Sequence, residues 1–148
     1  RLEGLVMNAV SAGARVLLGG TRRGALVAPT VLADVPREAE VVAREAFGPL
    51  APIVTVKDLD DAIRLANATP YGLSAGVVTR SLEKAIRAVK GIRAGTVNVN
   101  EVPGYRLESS PFGGVKDSGL GIKEGVIEAM KSISTVKTFS FPWKERTE

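Results

Sequence analysis

The sequence contains no cysteine and no histidine among its 148 residues. Zinc sites built on those ligands are excluded within the chain, as are disulfides, thiol nucleophiles and Ser-His-Asp chemistry. Long apolar runs are also missing, and none approaches the roughly 20 residues that a membrane-spanning helix needs. The opening stretch, RLEGLVMNAV, has no initiator Met, and Glu3 interrupts what would be the apolar part of a signal peptide. A cytoplasmic chain cut from something longer is the expectation.

What is present is a globular composition, 45% hydrophobic and 24% charged. The formal net charge is +4, which raises the question of a nucleic-acid partner. The 20 Lys and Arg are spread along the chain between 16 acids, and only TRRG at 21–24 sets two basic residues side by side. A solvated surface is the favoured reading, without nucleic acid or membrane as partner.

The periodicity places elements in order. Leu2, Leu5, Val6, Ala9 and Val10 have helical spacing, and Gly13 ends the pattern. RVLLGG (15–20) and ALVAPTVL (25–32) have strand character, with Pro29 at an edge or bend. A short helix is expected over 37–43. APIVTV (51–56), SAGVVT (74–79) and TVNVN (96–100) read as strands. Between them lie two helices. Asp58 caps the first, with Leu59, Ala62, Ile63 and Ala66 as its stripe; Ser81 caps the second, with Leu82, Ala85, Ile86 and Val89. This β-α-β-α-β succession predicts an α/β fold, a parallel sheet with flanking helices. A further helix is expected over 123–132, and a terminal β-strand over 134–141 carries Phe139 and Phe141 on one face. Such a strand needs a partner surface, either another subunit or an edge of its own domain.

One loop stands out. SPFGGVKDSGLGIKEG (110–125) holds five glycines in sixteen positions. Gly114 and Gly119 have the spacing of the phosphate loop G-x-x-x-x-G-K-[ST], but Leu120 and Gly121 occupy its working positions. The dinucleotide pattern G-x-G-x-x-G fails as well, because Gly125 comes one residue late and no buried strand leads in. The loop therefore reads as a tight connection that scaffolds a site, and not as a phosphate grip.

Four stretches together resemble the C-terminal motifs of NAD(P)-dependent aldehyde dehydrogenases: EAFGP (45–49), NATPYGLSAGV (67–77), GTVNVNE (95–101) and SPFGGVKDSGLG (110–121). Their order and spacing match that family over essentially the whole chain. The resemblance implies the C-terminal part of a longer enzyme: residues 1–132 from the catalytic domain, 133–148 an oligomerisation strand and tail. The family's catalytic cysteine, general-base glutamate, oxyanion-hole asparagine and Rossmann domain would lie upstream. No catalytic residue falls within the chain, and alone it should be inactive. In the intact enzyme an aldehyde would be oxidised to the acid through a cysteine thioester, with NAD or NADP taking the hydride.

The resemblance also assigns roles. Glu45 matches the glutamate that accepts hydrogen bonds from the nicotinamide ribose hydroxyls, and Phe47 the aromatic beside the nicotinamide, with plain core packing as its alternative. Phe112 matches an aromatic lining the substrate tunnel. Asn98 and Asn100 flank the strand end that leads to the substrate pocket, and Asn100 is expected to tie down loop backbone. Residues 100–143 look particularly like phosphonoacetaldehyde dehydrogenases, where Lys123-Glu124 replaces a more common Arg-Glu pair; lactaldehyde and non-phosphorylating glyceraldehyde-3-phosphate types are near neighbours. Arg106 could grip a phosphonate with both edges of its guanidinium, and Tyr105 could add a hydroxyl donor. The alternative is a surface Arg106 paired with Glu101 or Glu108. A homo-oligomer, dimer or tetramer, is the implied partner state. A non-catalytic assembly or binding module of the same fold is the competing reading of the whole.

Overall fold

The computed structural model describes residues 1–141. Helix α1 spans Leu2–Ser11, and Gly13 leaves it with φ +109°, a conformation suited to glycine. Strand β1 (Arg15–Leu18) runs antiparallel to β4 (Thr30–Ala33), which pairs parallel to β5 (Leu50–Pro52). Between β1 and β4 a small ribbon joins β2 (Arg22–Arg23) to β3 (Leu26–Val27). Pro29 sits at the break between β3 and β4, as its missing donor requires.

Helix α2 is shorter than the sequence suggests, Glu40–Ala43. Helix α3 (Leu59–Asn67) follows, then β6 (Ser74–Val77), α4 (Leu82–Gly91) and β7 (Thr96–Val99). Strands β6 and β7 pair in parallel, Ser74 against Thr96 through Val77 against Val99, with α4 as the crossover. Helix α5 covers Val126–Ile133. The α/β class and its parallel pairings are as expected, with one correction. The β-α-β-α-β run does not form one sheet: β5 pairs with β4, and β6 pairs with β7. Periodicity identifies strands but not the long-range partner that β5 finds in β4.

A second correction concerns the chain's end. Residues 134–141 enter no sheet, and Val136, Phe139 and Phe141 are exposed. The backbone leaves α5 extended at Ser134, but no described strand offers an edge beside it. Residues 142–148, the remainder of the expected strand-and-tail region, lie outside the described residues. No described helix is long and apolar enough to cross a membrane.

The core sits where α1, β4 and α2 meet, on Leu5, Val6, Ala9, Leu32, Val35 and Val41. Both predicted caps are formed. The Asp58 carboxylate accepts from the Asp61 N–H at 2.8 Å, and the Ser81 hydroxyl from the Lys84 N–H at 3.2 Å. Each contributes about 1 kcal/mol.

The buried residue of α3 is not one of its apolar stripe but Asp61. Arg37 grips both of its oxygens, the Lys57 N–H donates to it at 3.0 Å and Arg64 at 3.1 Å. A buried carboxylate without partners would be strongly unfavourable, so this set of donors is what makes the site viable. The Arg37 hydrogen bonds, then the Lys57 N–H, hold the Asp61 carboxyl well below the usual carboxylate range. A carboxyl depressed in the fold stabilises it above the unfolded pKa and loses that effect as the pH falls toward the folded value. Asp61→Asn should therefore melt well below wild type at pH 7, and the gap should narrow below about pH 4. Thermal melts at pH 7 and pH 3 check this.

Candidate active site

Glu45 follows α2 in a segment held from behind. The Arg1 guanidinium donates to the Glu45 carbonyl at 2.8 Å and the Ala46 carbonyl at 3.1 Å. Phe47 then takes φ +48°, which is unusual for a bulky residue. The residue is 80% exposed in this chain.

The Glu45 side chain lines a cleft of about 360 Å³ together with Thr69, Tyr71, Gly72, Arg93 and Ser118. Among the described residues its carboxylate has no ion pair. An exposed carboxylate is acceptor-only, so this wall of the cleft suits a ligand that brings hydroxyl donors.

The glycine loop contributes Ser118 to the same cleft. Its 3₁₀ turn, Lys116–Ser118, lies against the turn that joins α3 to β6. The Gly72 carbonyl accepts from the Val115 N–H at 3.0 Å and the Gly95 N–H at 3.1 Å. The Gly72 N–H donates to the Ser118 hydroxyl at 3.0 Å. The glycines permit this approach. A Cβ on Gly95 would stand 1.6 Å from the Gly113 carbonyl oxygen, and one on Gly113 2.2 Å from that of Gly121. The loop is thus a backbone-on-backbone scaffold, with Phe112 at its start and Ser118 in the cleft.

The remaining predicted residues gather at the far end of this loop. Asn100 has φ +57°, donates its N–H to the Val77 carbonyl and accepts from the Thr79 N–H at 2.8 Å. It fastens the end of β7 to the end of β6. Asn98 holds the next turn, its amide within reach of the Val102 and Tyr105 carbonyls, both at 3.0 Å. Tyr105 is half exposed at the close of that turn. Phe112 pairs its backbone with Glu124 in an isolated bridge. The Arg106 guanidinium stacks 4.8 Å above the Phe112 ring and forms an ion pair with Glu124. The partner is thus neither Glu101 nor Glu108. The bridge carries Glu124 to Phe112 and so to Arg106, a proximity that local sequence does not disclose. Glu45 and Phe47 do not join this second group; Asn100, Tyr105, Arg106 and Phe112 are linked to the cleft through the glycine loop.

Asn67 was visible in the sequence only as part of a motif. Its side chain donates to the Gly91 carbonyl at 2.8 Å and accepts from the Arg93 N–H at 2.7 Å, tying the ends of α3 and α4 together. No group of three or more metal-ligating side chains occurs among the described residues.

Residues 1–139 match the profile of the aldehyde dehydrogenase family. The chain belongs to that family. The lactaldehyde dehydrogenase of Methanococcus maripaludis is 38% identical over 138 residues, which is 93% of this chain and 29% of that protein. The sulfoacetaldehyde dehydrogenase of Neptuniibacter caesariensis is 38% identical over 93% of this chain and 30% of its own length. Among solved structures, the NADP-dependent glyceraldehyde-3-phosphate dehydrogenase of Bacillus halodurans, in complex with NADP, superposes with a TM-score of 0.83 at 40% identity. That match covers 87% of this chain and 27% of the other. The chain spans under a third of the length of these relatives. NAD or NADP is the cofactor class of the family members that it resembles.

The close packing of the loop makes a definite expectation. Gly95→Ala should destabilise the protein by about 3 kcal/mol or more, because backbone and not a flexible side chain blocks the added methyl. Gly104→Ala, with open space around it, should change stability little. Chemical denaturation of the two variants tests the contrast.

Proposed function

We propose that this chain supplies the cofactor-positioning and substrate-loop part of an NAD(P)-dependent aldehyde dehydrogenase. The observation that carries the reading is Glu45, an exposed carboxylate with no ion pair among the described residues, at the wall of a cleft that Ser118 of the glycine loop also lines. A carboxylate can accept from both hydroxyls of a nicotinamide ribose at once. That arrangement would fix the ring's orientation, with Phe47 beside it. The nicotinamide supplies the hydride acceptor; the thiol chemistry implied by the family lies outside this cysteine-free chain. Alone, the chain is inactive on this reading.

Phe112, Tyr105 and Asn100 shape the entrance for a small aldehyde, and Arg106 reads its head group. The Arg106 side chain is 44% exposed even while paired with Glu124, which leaves it reachable by an anion. The names of similar proteins include sulfoacetaldehyde and glyceraldehyde-3-phosphate dehydrogenases, whose substrates carry sulfonate or phosphate. Phosphonoacetaldehyde fits the same requirement and is the specific substrate we propose. Apolar side chains left open on α5 and beyond, among them Ile133, Phe139 and Phe141, support a homo-oligomer, dimer or tetramer, assembled through the terminal segment. The same surface would serve a purely assembling module, the competing reading.

In the full-length enzyme, Glu45→Gln should slow single-turnover hydride transfer more than it weakens cofactor binding. Unchanged rates in both steady-state and single-turnover assays would remove the role given to Glu45.

A further inference from the structure

Lys116 has a conformation and a set of contacts that neither cofactor nor substrate recognition explains. Its backbone lies at φ +53°, a left-handed conformation uncommon for a long side chain. Its side chain is half-buried, and its ammonium donates to the Asn67 carbonyl at 3.1 Å and the Thr69 carbonyl at 3.0 Å. Those carbonyls lie at the C-terminal end of α3, where the helix dipole favours a cation. Two residues on, the Ser118 hydroxyl accepts the Gly72 N–H, and the Asp117 N–H donates to the Pro70 carbonyl at 3.0 Å. The glycine loop is therefore fastened to the Asn67–Gly72 turn at three successive positions, beside the cleft that Glu45, Thr69, Gly72 and Ser118 line.

The same loop begins at Phe112, whose ring carries the Arg106 guanidinium. Cleft and substrate end thus share one rigid connector. We infer that Lys116, assisted by Ser118, is a positioning residue that sets the distance between the nicotinamide and the aldehyde. The inference rests on the reading of Glu45 as the ribose clamp. Lys116 touches neither reactant in this arrangement. It acts through the turn at Thr69–Gly72 on one side and through the loop to Phe112 on the other. The left-handed backbone at Lys116 is held against its intrinsic preference by these contacts. Loss of the ammonium would leave two helix-end carbonyls without their donor and let the loop shift relative to the cleft. A displacement on the order of 1 Å between reacting atoms is enough to slow transfer up to about a hundredfold.

The experiment uses the full-length enzyme and whichever of lactaldehyde, sulfoacetaldehyde and phosphonoacetaldehyde it oxidises fastest, with and without deuterium at C1. Rates are expressed per folded enzyme, with folding followed by circular dichroism. Lys116→Met should lower kcat by on the order of tenfold or more and raise the primary isotope effect on kcat, with a smaller change in the Kd for whichever of NAD and NADP the enzyme uses. Lys116→Arg, which keeps a cation with several donors, should recover most of the rate. A lowered Tm with kcat and isotope effect unchanged overturns the inference, since that is the signature of a purely structural lysine. Should Lys116→Met fail to fold, Ser118→Ala removes only a hydroxyl and is expected to show a weaker form of the same kinetic signature. An unaltered kcat and isotope effect in Ser118→Ala would then overturn it. Glu45→Gln runs alongside. If that variant is impaired and Lys116→Met is not, the positioning role alone falls; if Lys116→Met is impaired and Glu45→Gln is not, the ribose clamp falls and the inference built on it falls with it.

Discussion

The arrangement turns on one residue without a side chain. Gly72 gives its N–H to Ser118 and takes two N–H groups on its carbonyl, from Gly95 and Val115. Three segments distant in sequence meet there: the turn after α3, the start of β7 and the glycine loop. No other residue type fits, because a Cβ at Gly72 would come within 2.7 Å of the Arg93 carbonyl oxygen. The contact is made of backbone polar groups, each hydrogen bond adding about 1 kcal/mol net. Its importance is geometric. It decides where Ser118 stands in the cleft and how far Phe112 lies from it.

Short polar side chains carry the same task outward. Asn67 joins two helix ends, Asn98 holds the turn at 102–105, and Asn100 fastens β7 to β6. The described chain has only a small apolar core around α1, β4 and α2. Many apolar side chains of α4, α5 and the terminal segment stay exposed. Directional bonds to backbone fasten these loops, as suits loops that must keep one shape beside a ligand. Asp61 is the charged version of this device, buried and fully supplied with donors.

Local chemistry made much of this legible. Asp58 and Ser81 stood before helical stripes, and both cap their helices. Gly13 and Pro29 fell where backbone rules put them, and strands formed near 15–18, 74–77 and 96–99, whereas the run expected over 51–56 is strand only to Pro52 and that over 25–32 is split into two. The failure of both phosphate patterns at their active positions pointed to a scaffold loop, and the close glycine contacts in the structure are of that kind. Less visible was anything that depends on a distant partner. A β5 strand does not announce that it will join β4 rather than β6. Asp61 reads as a helix-start acid until Arg37, 24 residues away, closes over it. Nearness in sequence offers Arg106 only Glu101 or Glu108 as an ion-pair alternative, whereas the backbone bridge between Phe112 and Glu124 delivers the acid it meets. The terminal stretch has strand alternation but no edge within the described residues to complete it. The motifs that resemble the aldehyde dehydrogenase family named the family, while the linkage among them came only with the fold.

Amide hydrogen exchange in the full-length enzyme tests the shared brace most directly. The N–H groups of Gly72, Gly95, Val115 and Asp117 should exchange slowly and together, as one cooperative unit, while Gly104 exchanges at the rate of an open loop. Fast exchange at Gly72 and Val115, comparable to that at Gly104, would mean that the glycine loop is not locked to the cleft, and the account of how this chain positions its ligands would be wrong.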